Sequence, residues 1–186
     1  MRIVAGKLRH RIIEMTNLET TRETQDKVRG AIFNMIGPYF DGGVCLDLFA
    51  GSGAMGIEAY SRGMEKVYLN DLNKDALAIC KKNCQNLKIT NDFVFTNLDY
   101  KSFCQNEKTK FDLVLLDPPY KMDQIEEILN DVYPLLSNKA IIVFEAKKES
   151  IYPEEFKDFV LIKNKEYGIK RVVVYRRSLW AIKRII

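Results

Sequence analysis

The stretch that most constrains the fold is Val44-Cys45-Leu46-Asp47-Leu48-Phe49-Ala50-Gly51-Ser52-Gly53-Ala54-Met55-Gly56. An apolar run of strand length enters a turn with glycines at 51, 53 and 56, and a helical pattern follows. Glycines in this order at a strand-to-helix turn allow a tight bend, close approach of the backbone to a ligand and close packing of helix on sheet. The rest of the chain repeats the same grammar. Apolar runs predict strands near 44–49, 66–70, 93–97, 111–116 and 140–145, and amphipathic spacing predicts helices near 54–62, 74–87 and 124–136, with a short one near 100–103. Such alternation specifies a parallel sheet covered by helices on both faces. Past residue 150 the pattern changes. Runs at 159–165 and 170–176 flank Tyr167-Gly168 with no room for a crossover helix, so they must pair antiparallel.

Before the sheet, Arg2-Ile3-Val4-Ala5 and residues 8–13 flank Gly6-Lys7, which predicts a short basic hairpin turned at Gly6. Thr24 is placed to cap a helix over 25–36, where Val28, Ala31, Ile32 and Met35 form an apolar stripe and Gly37-Pro38 ends it. A chain of 186 residues fits one domain. Its expected divisions are an N-terminal hairpin and helix extension over 1–37, the main α/β domain over 38–177 and a basic tail over 178–186. No apolar run is long enough to span a bilayer and no signal peptide is visible, so the cytoplasm is expected.

Charge is unevenly spread. Residues 1–11 hold Arg2, Lys7, Arg9 and Arg11 with no acid, and residues 163–186 hold eight cations against Glu166 alone. Basic ends around an acidic middle point to a polyanionic partner gripped by the termini. Cys45, Cys80, Cys84 and Cys104 include no Cys-x-x-Cys pair, and His10 is the single histidine. Buried thiols are therefore expected rather than a metal site.

Acidic residues close successive strands. Asp47 ends the first, Asp71 lies twenty residues past Gly51 at the end of the second, and Asn97-Leu98-Asp99 ends the third. A carboxylate at Asp71 can accept from both hydroxyls of a ribose, and one at Asp99 from an adenine amine. The pattern also admits an NAD enzyme. Asp47 weighs against a pyrophosphate, which it repels, and for a ligand that brings an ammonium. S-adenosylmethionine has an ammonium, a ribose and no phosphate. Phe49, Ala50, Gly51, Ser52, Gly53 and Gly56 complete the expected cofactor set with Leu72, Asn97 and Leu98.

The fourth strand ends in Asp117-Pro118-Pro119-Tyr120. Two prolines stop the ladder and stiffen the corner, because neither donates a backbone hydrogen bond. The corner carries a carboxylate and carbonyls that accept from an amine, and a ring that stacks on a flat base.

With these residues in view, the chain resembles the amino-group methyltransferases that use S-adenosylmethionine, and most closely the RsmD family. Met1-Arg2-Ile3-Val4-Ala5-Gly6, Thr21-Arg22, Asp26-Lys27-Val28-Arg29 and Ile32-Phe33-Asn34 resemble that family's N-terminal signature, while Asp47 to Gly56 and Asp117 to Tyr120 resemble its cofactor and target-amine motifs. The resemblance implies a Rossmann-like class I methyltransferase fold, with a mostly parallel seven-stranded sheet ending in an antiparallel hairpin. It implies S-adenosylmethionine as cofactor, no metal, and methylation of the exocyclic N2 of one guanine in small-subunit (16S) ribosomal RNA. Asp117, Pro118, Pro119 and Tyr120 are then the catalytic set. Arg2, Lys7, Arg9, Arg11, Arg22, Lys27, Arg29 and Lys121 are the expected RNA grip, on a protein expected to act as a monomer. An amino methyltransferase acting on another nucleic-acid or protein amine is the alternative. Two departures stand out: Glu23 replaces the family's usual proline, and residues 178–186 match nothing in it.

Overall fold

The computed structural model describes residues 1–16, 22–119, 122 and 124–178, with the backbone alone for 22–25. The chain runs α1 (Arg22–Ile36), β1 (Val44–Asp47), α2 (Ala54–Ser61), β2 (Lys66–Asn70), α3 (Lys74–Leu87), β3 (Phe93–Thr96), α4 (Tyr100–Asn106), β4 (Phe111–Leu116), α5 (Ile125–Val132), β5 (Leu136–Lys147), β6 (Glu155–Phe156), β7 (Phe159–Tyr167) and β8 (Lys170–Arg177). The sheet order is β3-β2-β1-β4-β5-β8-β7-β6. Strands β1 to β5 are parallel, and β6, β7 and β8 join antiparallel.

Alternation along the strands divides the core in two. Leu113 and Leu115 of β4 face a cluster built with Ile32 and Phe33 of α1, Ile57 of α2 and Leu77 and Cys80 of α3. Val114 and Leu116 face the opposite cluster, built with Phe103 of α4 and Ile128, Leu129 and Val132 of α5. Both faces of each central strand are therefore apolar, as a buried parallel sheet requires.

Three elements differ from the sequence reading. Helix α1 begins at Arg22, so Thr24 lies within it and is not its cap. Helix α5 ends at Val132, and Tyr133–Leu135 tighten into a 3-10 turn around Pro134, which cannot donate to a continuing helix. The sheet has eight strands instead of seven, because β6 pairs with β7 through Glu155↔Val160 and Phe156↔Phe159. Its turn holds Lys157 at φ 51, a conformation that glycine or asparagine usually marks in a sequence.

The N-terminal segment folds back on itself more loosely than a regular hairpin. One antiparallel bridge joins Arg2 and Ile12, and Ile13 N–H donates to Met1 O at 3.0 Å. Gly6 does more than turn the chain. At φ +82 its missing Cβ would stand 1.8 Å from the Ser61 carbonyl oxygen, so only glycine lets this arm settle on α2. Lys7 N–H donates to Ser61 O at 2.8 Å and Leu8 N–H to Ser61 Oγ at 2.9 Å.

Beneath the arm lies Glu58, with no solvent exposure. Its carboxylate accepts from Val4 N–H (2.8 Å), Ala5 N–H (3.0 Å), Arg29 Nε (3.2 Å) and Arg62 Nε (2.7 Å). Arg29 also bonds Asp26 at 2.9 Å and the Arg2 carbonyl. The expectation that Arg29 grips RNA is corrected here. It is 3% exposed and its guanidinium is committed to partners within the protein. No helix among the described residues is long and apolar enough to cross a membrane.

Candidate active site at the carboxyl ends of the strands

The glycine turn is held from below. Gly51 has φ +55 and Gly53 φ +81. On α3, the Cys80 thiol donates to Gly51 O at 3.1 Å and Asn83 Nδ2 donates to Ser52 O at 3.0 Å. Burial pushes both the Cys80 and Cys84 thiols up, so they act as buried packing groups. Gly56 meets the sheet directly: an added Cβ would come 2.5 Å from Leu69 Cδ2. This is the close helix–strand packing expected of the third glycine.

Asp47 is buried at the end of β1, and its Oδ2 accepts from Gly56 N–H at 2.9 Å. Burial raises its pKa to about 7, and the nearby carboxylates of Asp117, Asp71 and Glu145 push in the same direction against the Gly56 hydrogen bond. Asp71 Oδ2 accepts from Gly51 N–H at 2.8 Å and its Oδ1 from Asn73 N–H at 2.8 Å. The carboxylate of the second strand therefore shapes the first loop. Asn97 Nδ2 bonds the carbonyls of Asp71 and Leu72 at 2.7 and 2.9 Å. Asp99 caps α4, accepting from Ser102 N–H at 3.0 Å and Ser102 Oγ at 2.5 Å; these bonds hold its carboxyl below the usual range. Leu72 and Leu98 are exposed.

A cleft of about 360 Å³ opens beside this turn. Asp47, Phe49, Ala50, Gly51 and Ser52 line it together with Asp117, Glu145 and Tyr167, Gly168, Ile169 and Lys170 of the β7–β8 turn; Met1, Val28, Arg29, Ile32, Ala54 and Met55 complete it. The structure thus brings the glycine turn and Asp117 into one site. Asp71, Leu72, Asn97, Leu98 and Asp99 lie outside this cleft, on rim that continues it through the Asp71–Gly51 bond. Pro118 is buried and Pro119 exposed, and Pro119 O accepts from Met122 N–H at 2.8 Å. Tyr120, Lys121 and the Arg22 side chain, like the 179–186 tail, lie outside the described residues.

Lys170, Glu145 and Asn70 are functional candidates that the sequence reading does not include. Lys170 Nζ lies 3.0 Å from Asp117 Oδ2 and 3.4 Å from Glu145 Oε2. Nothing in the spacing links positions 117, 145 and 170. Asn70, 1% exposed, ties three strand ends together, donating to Leu48 O and Leu98 O and accepting from Thr96 Oγ1. An asparagine closing a buried strand was a signal available for it. Of the expected RNA grip, Arg2, Lys7, Arg9, Arg11 and Lys27 are exposed. Lys7 Nζ stands 3.5 Å over the Tyr60 ring, and Arg11 donates to Asn86 O at 3.4 Å.

The donor set discriminates among nucleotide-like ligands. A pyrophosphate needs free backbone N–H groups and cations at the glycine turn. Here Gly51 N–H is bound to Asp71, the walls carry Asp47, Asp117 and Glu145, and the two cations that line the cleft, Arg29 and Lys170, are already paired with carboxylates of the protein. Carboxylates lining an apolar cleft suit a cationic, phosphate-free ligand, and S-adenosylmethionine has that chemistry. Fold and site together define a Rossmann-like methyltransferase. The family model described as Conserved hypothetical protein 95 matches residues 1–176, and the chain belongs to that family, the RsmD family. It is 38% identical over 182 residues to the Bacillus subtilis protein YlbH, covering 95% of this chain and 99% of that one. To the Ribosomal RNA small subunit methyltransferase D of Haemophilus influenzae it is 35% identical, covering 95% and 93%. A solved conserved hypothetical protein of Streptococcus pyogenes superposes with a TM-score of 0.78 at 42% identity, covering 81% of this chain and 95% of that one. S-adenosylmethionine is the cofactor of this class.

Proposed function

We propose that this protein transfers a methyl group from S-adenosylmethionine to the exocyclic N2 of a guanine in small-subunit ribosomal RNA. The observation that carries this reading is the Asp117 carboxylate at the end of β4, facing the same cleft as the glycine turn. The Haemophilus influenzae relative, a Ribosomal RNA small subunit methyltransferase by name, supplies the substrate class. When bound, S-adenosylmethionine supplies a methyl group on a sulfonium, so the leaving group is already good.

The chain's own residues then have to hold, orient and exclude. Asp47 faces the cofactor's cationic end, while Asp71 and the Gly51 turn hold the ribose side. Guanine N2 is a weak nucleophile because its lone pair is delocalised into the ring. Asp117 accepts from this amine together with a carbonyl of the proline corner; Pro119 O already accepts from Met122 N–H, which leaves Pro118 O the less engaged of the two. Two acceptors turn the lone pair toward the methyl and favour the positive charge that develops on nitrogen. Tyr120 stacks on the base, which must leave its own stack to enter. Arg2, Lys7, Arg9, Arg11 and Lys27, with Arg22 and Lys121, meet the phosphate backbone.

The test is incubation with tritiated S-adenosylmethionine and unmodified small ribosomal subunits, followed by digestion and identification of the labelled nucleoside. The expected product is N2-methylguanosine. Label on an adenine amine, or on ribosomal protein alone, overturns the assignment in favour of another amino methyltransferase.

A further inference from the structure

We propose that Lys170 is a positioning residue for the target-amine site: its ammonium tethers one oxygen of Asp117 so that the other faces the incoming amine. The inference rests on the functional reading of Asp117 given above. The carboxylate of Asp117 is 44% exposed at the edge of the cleft, where an untethered side chain samples several rotamers. Lys170 Nζ contacts Oδ2 at 3.0 Å, and among the described residues Oδ1 accepts no hydrogen bond. The same ammonium lies 3.4 Å from Glu145, whose side chain is only 8% exposed. Glu145 therefore serves as the buried anchor, and Lys170 bridges it to the more exposed carboxylate of Asp117.

The backbone delivers this lysine rigidly. The loop between β7 and β8 has two residues, Gly168 at φ 60 and Ile169, and Tyr167 pairs with Lys170 across it. On its other side Lys170 pairs with Lys147 of β5, and Lys148 N–H donates to Ile169 O at 3.0 Å. Farther along the hairpin, Arg176 donates to Ile36 O at 2.8 Å and so ties it to the end of α1. A cation at the first residue of a central strand cannot follow solvent freely. It keeps Asp117 in one orientation before substrate arrives, which lowers the reorganisation demanded at the moment of reaction.

The experiment compares wild type, Lys170→Met, Lys170→Arg, Asp117→Ala and the double variant Lys170→Met with Glu145→Gln, using single-turnover methyl transfer to small ribosomal subunits. Cofactor and RNA affinities are measured separately, and thermal melts check folding. Lys170→Met is expected to lower the rate at saturation about tenfold or more while cofactor and RNA dissociation constants stay within about threefold. Lys170→Arg, which restores a cation able to span both carboxylates, should recover most of the rate. The double variant removes the anchor's charge along with the tether; it should stay folded if Lys170→Met does not, and should remain slow. Wild-type rates in Lys170→Met or the folded double variant, with Asp117→Ala slow, overturn the tether and leave the role of Asp117 standing. A loss confined to RNA or cofactor affinity also overturns it. A wild-type rate in Asp117→Ala overturns both the tether and the reading on which it rests.

Discussion

Two ion clusters in this molecule are near mirror images in composition and opposite in use. In one, a buried carboxylate, Glu58, sits between two guanidinium groups, Arg29 and Arg62, with side chains 0%, 3% and 2% exposed, and Asp26 joins only at its edge through Arg29. In the other, a single ammonium, Lys170, sits between two carboxylates, Asp117 and Glu145, at 32%, 44% and 8%. The first is closed: Glu58 also takes two backbone N–H groups of the arm. The second opens on the cleft and carries an excess of acid toward it. Saturated, dry ion pairs fix a shape, because breaking one strands a charge without solvent. Partly wet ones leave lone pairs available to a ligand.

The sharpest way to break the comparison is at its closed end. Glu58→Ala leaves the buried Arg62 guanidinium without a carboxylate and Arg29 with only the partly exposed Asp26, and should cost about 3–5 kcal/mol of stability. Denaturant titration checks this, and a loss of under about 1 kcal/mol would show that the cluster is not structural in the sense argued. At the open end, Asp117→Ala should leave the melting transition nearly unchanged while methyl transfer falls about 100-fold or more, as for loss of one preorganised polar contact. Single-turnover rates and melts on the same preparation separate the two behaviours.

A smaller effect concerns Asp47, buried at the end of β1 with its pKa raised to about 7. A folded value above the unfolded one means that the native state binds more protons from about pH 4 to 7. This group's contribution to stability is therefore present in acid and is lost as pH rises through about 7. A cationic ligand prefers the ionised carboxylate. S-adenosylmethionine affinity should accordingly fall as pH drops below about 7, by up to about tenfold per unit, with proton release on binding. Calorimetry at pH 6 and pH 8 in two buffers reads both quantities, and a flat profile removes Asp47 from the cofactor site. Least in magnitude is the arm. Changing Arg9 and Arg11 together to Ala should weaken RNA binding modestly and flatten its salt dependence, with cofactor affinity unchanged. Filter binding across a salt series checks this.

The comparison also explains what the sequence could and could not reveal. Features set by near neighbours were legible: Gly51, Gly53 and Gly56 occupy the turn for which their spacing is suited, and the prolines after Asp117 end β4 where expected. Groups whose partners lie far along the chain were not. Lys170 meets Asp117 across 53 positions and Glu145 across 25. Charge alone puts Arg29 in the RNA grip, although it stands next to Val28 and one helical turn before Ile32 and Phe33, on the buried side of α1. An arginine on an apolar stripe is a request for a buried acid, and Glu58 answers it from α2. Asp71 and Asp99 follow the second and third strands as their positions predict, and their oxygens serve a loop and a helix cap, which charge alone does not announce.

The close seat of Gly6 against the Ser61 carbonyl has a consequence for reach. With no room for a side chain between them, the arm and α2 move as one body, and α2 begins at the glycine turn itself. In the proposed complex the arm is therefore a caliper. A nucleic acid that lays its backbone on Arg9 finds the methyl donor a set span away, and bases at any other span along the strand are passed over without being read.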